Sequence, residues 1–192
     1  MYDVLIRHGT LVTDTATIQA DVAISDDRIV AIEPELSGTA REEISAEGLH
    51  IFPGCIDAHV HFNEPGRAHW EGFASGTAAL AAGGATSYVE MPLNAHPPTL
   101  DAQSFDLKAQ AARASSLVDF ALWGGLTPVN LDRLDELAER GVIGYKAFMS
   151  NSGIDDFQAI DDLGLYEGMA RAAKLGRIVA VHAENEIGRA HV

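Results

Sequence analysis

From residue 51 onward, apolar strand-like runs alternate with helix-like stretches, and this alternation constrains the fold more than any other feature of the chain. Strand-type runs lie at 51–56, 85–91, 118–124, 142–149 and 178–182, with helix-type stretches at 70–82, 101–115, 131–140 and 162–175 between them. A β-α-β-α order predicts a parallel sheet, whose strands are covered on both faces and therefore read as continuous apolar runs. Five strands are counted, followed by the opening of another helix. A closed (β/α)8 barrel of the TIM type needs eight strands and about 250 residues. Residues 51–192 are therefore expected to be the first part of such a barrel, incomplete in this chain, and the polypeptide is expected to be a fragment. An open five-stranded doubly wound sheet also fits the length. The ligand-type side chains described below favour the barrel.

Local signals support the helices. Leu131, Leu134 and Ala138 form one helical face, Asn130 is placed to cap its start, and Gly141 to stop it. Tyr166, Met169, Ala170 and Ala173 repeat the pattern and Gly176 ends it; both stripes read as core packing. Residues 1–50 have a different rhythm, with short β-type pieces separated by His8-Gly9 and Ser25-Asp26-Asp27 turns, which predicts a small β-module. The net charge of −15 argues against a nucleic-acid or anionic-membrane surface, leaving small molecules or proteins as partners. The single cysteine, Cys55, excludes an internal disulfide framework and is expected to be a small buried thiol. No signal-peptide pattern or membrane-length apolar stretch is present, so the cytoplasm is the expected compartment.

Three of the strands carry residues with ligand chemistry. In Asp57-Ala58-His59-Val60-His61 the two histidines stand at i and i+2, so on a strand both imidazoles face the same way and can converge on one ion. In Gly144-Tyr145-Lys146-Ala147-Phe148 one lysine sits in an apolar strand. Desolvation lowers its pKa, and the neutral amine can react with carbonyl compounds or with carbon dioxide, which would turn it into a carboxylate. His182 ends the third run, Ile178-Val179-Ala180-Val181-His182. Each taken singly is as well explained by ordinary strand-end or snorkelling side chains. Together they fall at the carboxyl ends of three strands, where barrel enzymes assemble their sites.

The segment Pro53-Gly54-Cys55-Ile56-Asp57-Ala58-His59-Val60-His61, the Gly144-Tyr145-Lys146 strand and Val181-His182-Ala183-Glu184-Asn185 resemble the amidohydrolase superfamily, in its cyclic-amidase branch of dihydroorotases, hydantoinases and allantoinases. Glu64-Pro65-Gly66-Arg67-Ala68-His69-Trp70-Glu71-Gly72 and Glu90-Met91-Pro92-Leu93-Asn94 look most like the allantoinase members. The resemblance implies a centre of two divalent metal ions, usually zinc, with His59 and His61 on one ion, His182 on the second and carboxylated Lys146 bridging both. It implies hydrolysis of a ring amide, allantoin to allantoate, by a hydroxide held between the ions. It also implies that residues 1–50 are the N-terminal part of a β-sandwich module, completed by strands from further along the family's chains.

Dihydroorotases place an arginine two residues after the second histidine to pair with a substrate carboxylate; here that residue is Asn63, which suits a neutral, amide-rich ligand. Asn63 and Asn94 are the candidate substrate-binding residues, while Arg67, His69, Trp70 and Glu71 are given no catalytic role. The family's further metal-binding histidine on the sixth strand, and the aspartate on the eighth that also serves as general acid and base, have no counterpart here. His191 follows His182 too soon to be that histidine. The chain alone is thus expected to be inactive and to expose an apolar barrel edge, and the full-length enzyme to be a homo-oligomer acting on a small cyclic ureide or amide. A dihydroorotase or hydantoinase-type amidase and a non-catalytic scaffold are the alternatives; metal content separates the scaffold from both enzymes.

Overall fold

The computed structural model describes residues 1–184 and divides the chain into two compact units, Met1–Gly54 and Cys55–Val192. The expected opening of the fifth helix, Asn185 and His191 lie outside the described residues. No helix among those described is long and apolar enough to cross a membrane.

The first unit is one mixed sheet. Its strands are β1 (Tyr2–Val12), β2 (Thr17–Ser25), β3 (Arg28–Glu33), β4 (Ala40–Ser45) and β5 (His50–Ile51). The order is β3-β2-β1-β4, with β5 also pairing β1; β2 runs antiparallel to both β1 and β3, and β4 and β5 run parallel to β1. Asp26 and Asp27, at φ 49° and 58°, form the two-residue turn between β2 and β3, since a turn with positive φ at both positions matches the twist of the strands it joins. His8-Gly9, expected as a turn, is instead a bulge inside β1: His8 has φ 60°, the pairing with β2 shifts between Ile6 and Gly9, and the strand continues. The bulge is held from below by the buried carboxylate of Asp21, which accepts the His8 N–H at 2.8 Å, the Leu36 N–H at 3.0 Å and Arg7 Nη1 at 3.2 Å.

The second unit alternates strand and helix. Its elements are β6 (Cys55–Val60), α1 (Phe73–Ala82), β7 (Ala85–Glu90), α2 (Ala102–Ser115), β8 (Asp119–Leu122), β9 (Gly124–Gly125), α3 (Leu134–Arg140), β10 (Gly144–Phe148), α4 (Asp162–Lys174) and β11 (Ile178–His182). All pairings are parallel, in the orders β6-β7-β8 and β9-β10-β11. Only Trp123 separates β8 from β9. Its N–H donates to the Glu90 carbonyl at 3.0 Å, and the neighbouring Leu122 carbonyl accepts from Ile143 at 3.1 Å, so β7, β8-β9 and β10 are continuous neighbours. Strand order therefore follows chain order without the reversal that marks a doubly wound sheet, and it is the order of a (β/α) barrel.

Asp101 caps α2 through a reciprocal pair of bonds with Ser104, and Gly141 stops α3 at φ 95°. Three expectations are corrected. Asn130 does not cap the turn that precedes α3. Its Oδ1 accepts from the Thr127 N–H and hydroxyl, both at 2.9 Å, and its Nδ2 donates to the Leu100 and Gly125 carbonyls, so the side chain stitches two loops together. The apolar stripe of α4 is not core: Tyr166 is 72% and Met169 49% exposed. The buried face is Gly164, Gly168 and Ala172, residues four apart whose small size brings the helix backbone close to Leu126; a Cβ at Gly168 would lie 2.5 Å from Leu126 Cδ1. Periodicity fixed on the large residues and missed the small ones. Cys55, expected buried, is exposed because β6 is the outer strand of its sheet, where Ile56 is also 70% exposed.

Candidate functional site

The carboxyl ends of β6, β10 and β11 carry the predicted ligand side chains. His59 is in the last turn of pleat of β6 and His61 follows its end, with ring centroids 5.3 Å apart, as expected for i and i+2 positions on an extended backbone. Asp57 Oδ1 accepts the His59 N–H at 3.1 Å and steadies the strand end. On β10, Lys146 is only 5% exposed. Its Nζ lies 5.0 Å from the centroid of the Phe148 ring, and His182 stacks on that ring at 4.9 Å with the planes only 10° apart. The parallel register of β10 and β11 sets this contact by pairing Phe148 with His182. His182 Nε2 also lies 3.4 Å from Glu184 Oε1.

His59 senses the charges of Lys146 and His182, and His61 those of His59 and Lys146. Burial pushes His59 below the usual imidazole range, and Lys146 adds to the effect, with a smaller contribution from His182 and an opposing one from Asp57. His61 is pushed down to about 4, first by burial and then by the His59 charge; the Leu93 carbonyl works in the opposite sense, although Nδ1 makes no hydrogen bond of ordinary geometry. Lys146 is lowered by burial, and no ion pair to it is found among the described residues. At neutral pH His59 and His61 are therefore biased toward neutral imidazoles, the form that a cation requires.

These residues fit a divalent ion in donor chemistry, with one buried imidazole nitrogen of His61 left unpartnered. Among the described residues no group of three or more His, Cys, Asp or Glu side chains is placed to hold a metal, so an ion here would depend on Lys146 or on ligands outside this set.

Asn63 and Asn94 have backbone roles that the sequence did not announce. Both adopt the left-handed conformation, at φ 61° and 69°, which asparagine tolerates better than most residues. The Asn63 carbonyl accepts the Arg67 N–H at 3.0 Å, and the Asn94 carbonyl accepts Arg67 Nη1, also at 3.0 Å. Arg67 further donates to the Ala95 carbonyl and to Asp156 Oδ2, whose same oxygen meets His96 Nδ1 at 2.6 Å. Arg67 thus ties together the loops that follow β6, β7 and β10, with Trp70 5.6 Å beneath its guanidinium. Asp156 and His96 carry no sequence signal for this role. Glu90 and Lys108, both fully buried beneath the histidine loop, were also missed; a carboxylate at the end of an apolar strand and a lysine on the buried face of α2 were the available signals.

Parallel strands in sequential order, alternating with helices and carrying a histidine pair on and after β6, a buried lysine within β10 and a histidine at the end of β11, define a barrel-type framework. The chain belongs to the amidohydrolase family, whose match extends over residues 50–191. It is 63% identical over 184 residues to an allantoinase of Rubrobacter xylanophilus, covering 96% of this chain and 40% of that protein. It is 55% identical over 188 residues to an allantoinase of Deinococcus radiodurans, covering 97% and 42%. An L-hydantoinase (dihydropyrimidinase) from Arthrobacter aurescens superposes with a TM-score of 0.90 at 33% identity, over 97% of this chain and 42% of the other. The chain thus spans about two fifths of the length of the relatives it matches.

Proposed function

We propose that this chain contributes the first half of the active site of a metal-dependent cyclic amidase that opens allantoin to allantoate. What supports the reading is a buried Lys146 with no ion pair among the described residues, which shares the Phe148 ring with His182 and is near enough to His59 and His61 for its charge to act on both. His59 and His61 would hold one of two divalent ions, with imidazole donors suiting zinc; His182 would hold the other, and Lys146, as its carboxylate, would serve both. When bound, such ions lower the pKa of water and polarise a carbonyl.

The chain's own part is to keep both imidazoles neutral by burial and to hold the lysine where burial works against its charged form. The loop staple centred on Arg67 would hold the rim in shape around a small neutral ring, with Asn63 and Asn94 available to hydrogen-bond its amides. Asn63, standing where a carboxylate-binding arginine occurs in dihydroorotases, and the allantoinase relatives support allantoin. The structural likeness to an L-hydantoinase makes a simple hydantoin the second candidate. The sixth-strand histidine and eighth-strand aspartate implied by the resemblance have no counterpart here, so the 192 residues alone are proposed to be inactive. Barrel closure, the completed β-sandwich, a homo-oligomeric assembly and a cytoplasmic location belong to the same proposal.

The test is ring opening of allantoin, hydantoin and dihydroorotate by full-length protein supplied with zinc and bicarbonate. Preferential turnover of allantoin supports the reading; preference for either other ring transfers it to that substrate, and inactivity on all three removes it.

A further inference from the structure

The fully buried pair Glu90 and Lys108 lies directly behind the histidine loop, and neither is a candidate ligand. Glu90 ends β7, and both its carboxylate oxygens accept the Phe62 N–H, at 3.1 and 3.0 Å. Phe62 directly follows His61, and the next residue, Asn63, takes the left-handed turn at φ 61°. Lys108 of α2 reaches the same place from the other side: Nζ donates to the Met91 carbonyl at 2.7 Å and stands 3.5 Å from Glu90 Oε1. Burial pushes the Glu90 carboxyl up to about 7 and lowers Lys108, each opposed by the other's charge. Removing two charges from water is costly, and such pairs often add little to stability compared with apolar residues of the same shape. A carboxylate that takes a backbone N–H on both oxygens does something an apolar side chain cannot, since it fixes the direction in which the chain leaves β6.

We propose that Glu90 and Lys108 are positioning residues for the histidine pair: the Glu90 carboxylate clamps the backbone N–H of Phe62 and so aims His61 beside His59, while Lys108 holds the carboxylate in place and ties it to the Met91 carbonyl. The proposal rests on the metal reading of the histidines and deepens it. Gln at position 90 keeps one accepting oxygen and replaces the other with an NH2 group, so it cannot take the Phe62 N–H on both atoms as the carboxylate does. The outer partners that orient metal-binding histidines typically change metal affinity by roughly 10–100-fold when removed.

The test compares full-length wild type with Glu90→Gln/Lys108→Met, which removes the charge pair together and leaves no unpaired buried ion. Three readouts are taken: the urea midpoint of the metal-free protein, titration with Co2+ followed by its visible spectrum, and amide hydrogen exchange of Phe62 in the wild type. The expected result is a folded double variant that binds Co2+ at least tenfold more weakly with an altered spectrum, and a wild-type amide at 62 that exchanges only with global unfolding. Wild-type Co2+ affinity and spectrum in the folded double variant overturn the proposal. If that variant does not fold, the exchange data decide, because an amide at 62 that exchanges like an open loop overturns it equally. Failure of the wild type itself to bind Co2+ instead removes the metal reading, and the exchange rates still report whether the clamp exists.

Discussion

Replacing Gly76 by alanine should destabilise the second unit, although alanine is the better helix former. Gly76 lies in the interior of α1, where Gly→Ala alone is worth about 1 kcal/mol in favour of the variant. A methyl group at this position would overlap Phe62 Cδ1 and Cε1. The Phe62 ring cannot easily retreat: it is 6% exposed and packs edge-on against Tyr88 at 5.0 Å and Phe73 at 5.8 Å between ring centroids. Overpacking of a closed core costs about 1–3 kcal/mol, and after the propensity gain the net change is a loss of up to about 2 kcal/mol. Because Phe62 follows His61, the displaced ring also drags the site, and divalent-metal affinity should fall with stability. Urea unfolding of metal-free Gly76→Ala measures the first effect. Gly83→Ala is the control, since its nearest neighbours stand 3.5 Å away and its φ of −83° suits any residue. A Gly76→Ala protein that is about 1 kcal/mol more stable than wild type would refute the packing argument, because propensity alone would then account for the result.

Three further outcomes are expected. His61 has a folded pKa of about 4 against 6.5 unfolded, so the unfolded chain binds a proton first as pH falls; stability is fully present above pH 6.5 and is lost toward pH 4, by about 1–2 kcal/mol after discounting for the solvent-screened part of the ring, a slope that His61→Gln should remove in urea unfolding with EDTA. Lys146→Ala in the full-length enzyme should abolish allantoin turnover, with partial recovery on adding short carboxylic acids; normal turnover would sink the bridging role. Asp156→Ala frees Arg67 and His96 together, costing about 1 kcal/mol at these partly exposed positions and raising hydrogen exchange in loops 63–70 and 94–99, whereas Met169→Ala on the exposed face of α4 should stay within about 0.5 kcal/mol.

The strand and helix alternation was legible because buried parallel strands leave long apolar runs, and Gly141 marked a real helix end for a stated steric reason. The faces of helices were less legible. In α4 the contact with Leu126 requires glycine, and a hydropathy stripe that weights size assigns the wrong side. Asn130 shows a related limit, since asparagine before a helix satisfies loop carbonyls as readily as it caps, and only the tertiary neighbours decide. The metal-type residues could be read from the sequence because i and i+2 spacing and a lysine in an apolar strand are local signals. Their supports could not, because Glu90, Lys108 and Asp156 act on residues 18 to 89 positions away, and nothing local records such a partner.

The account stands most directly on the zinc content of purified full-length protein, measured beside that of Lys146→Ala. The expected result is about two zinc ions per subunit in the wild type and a clear loss in the variant, with both proteins folded. A wild type that takes up no zinc, or a Lys146→Ala protein that keeps its full complement, would contradict the claim that these strand ends build a lysine-bridged metal site.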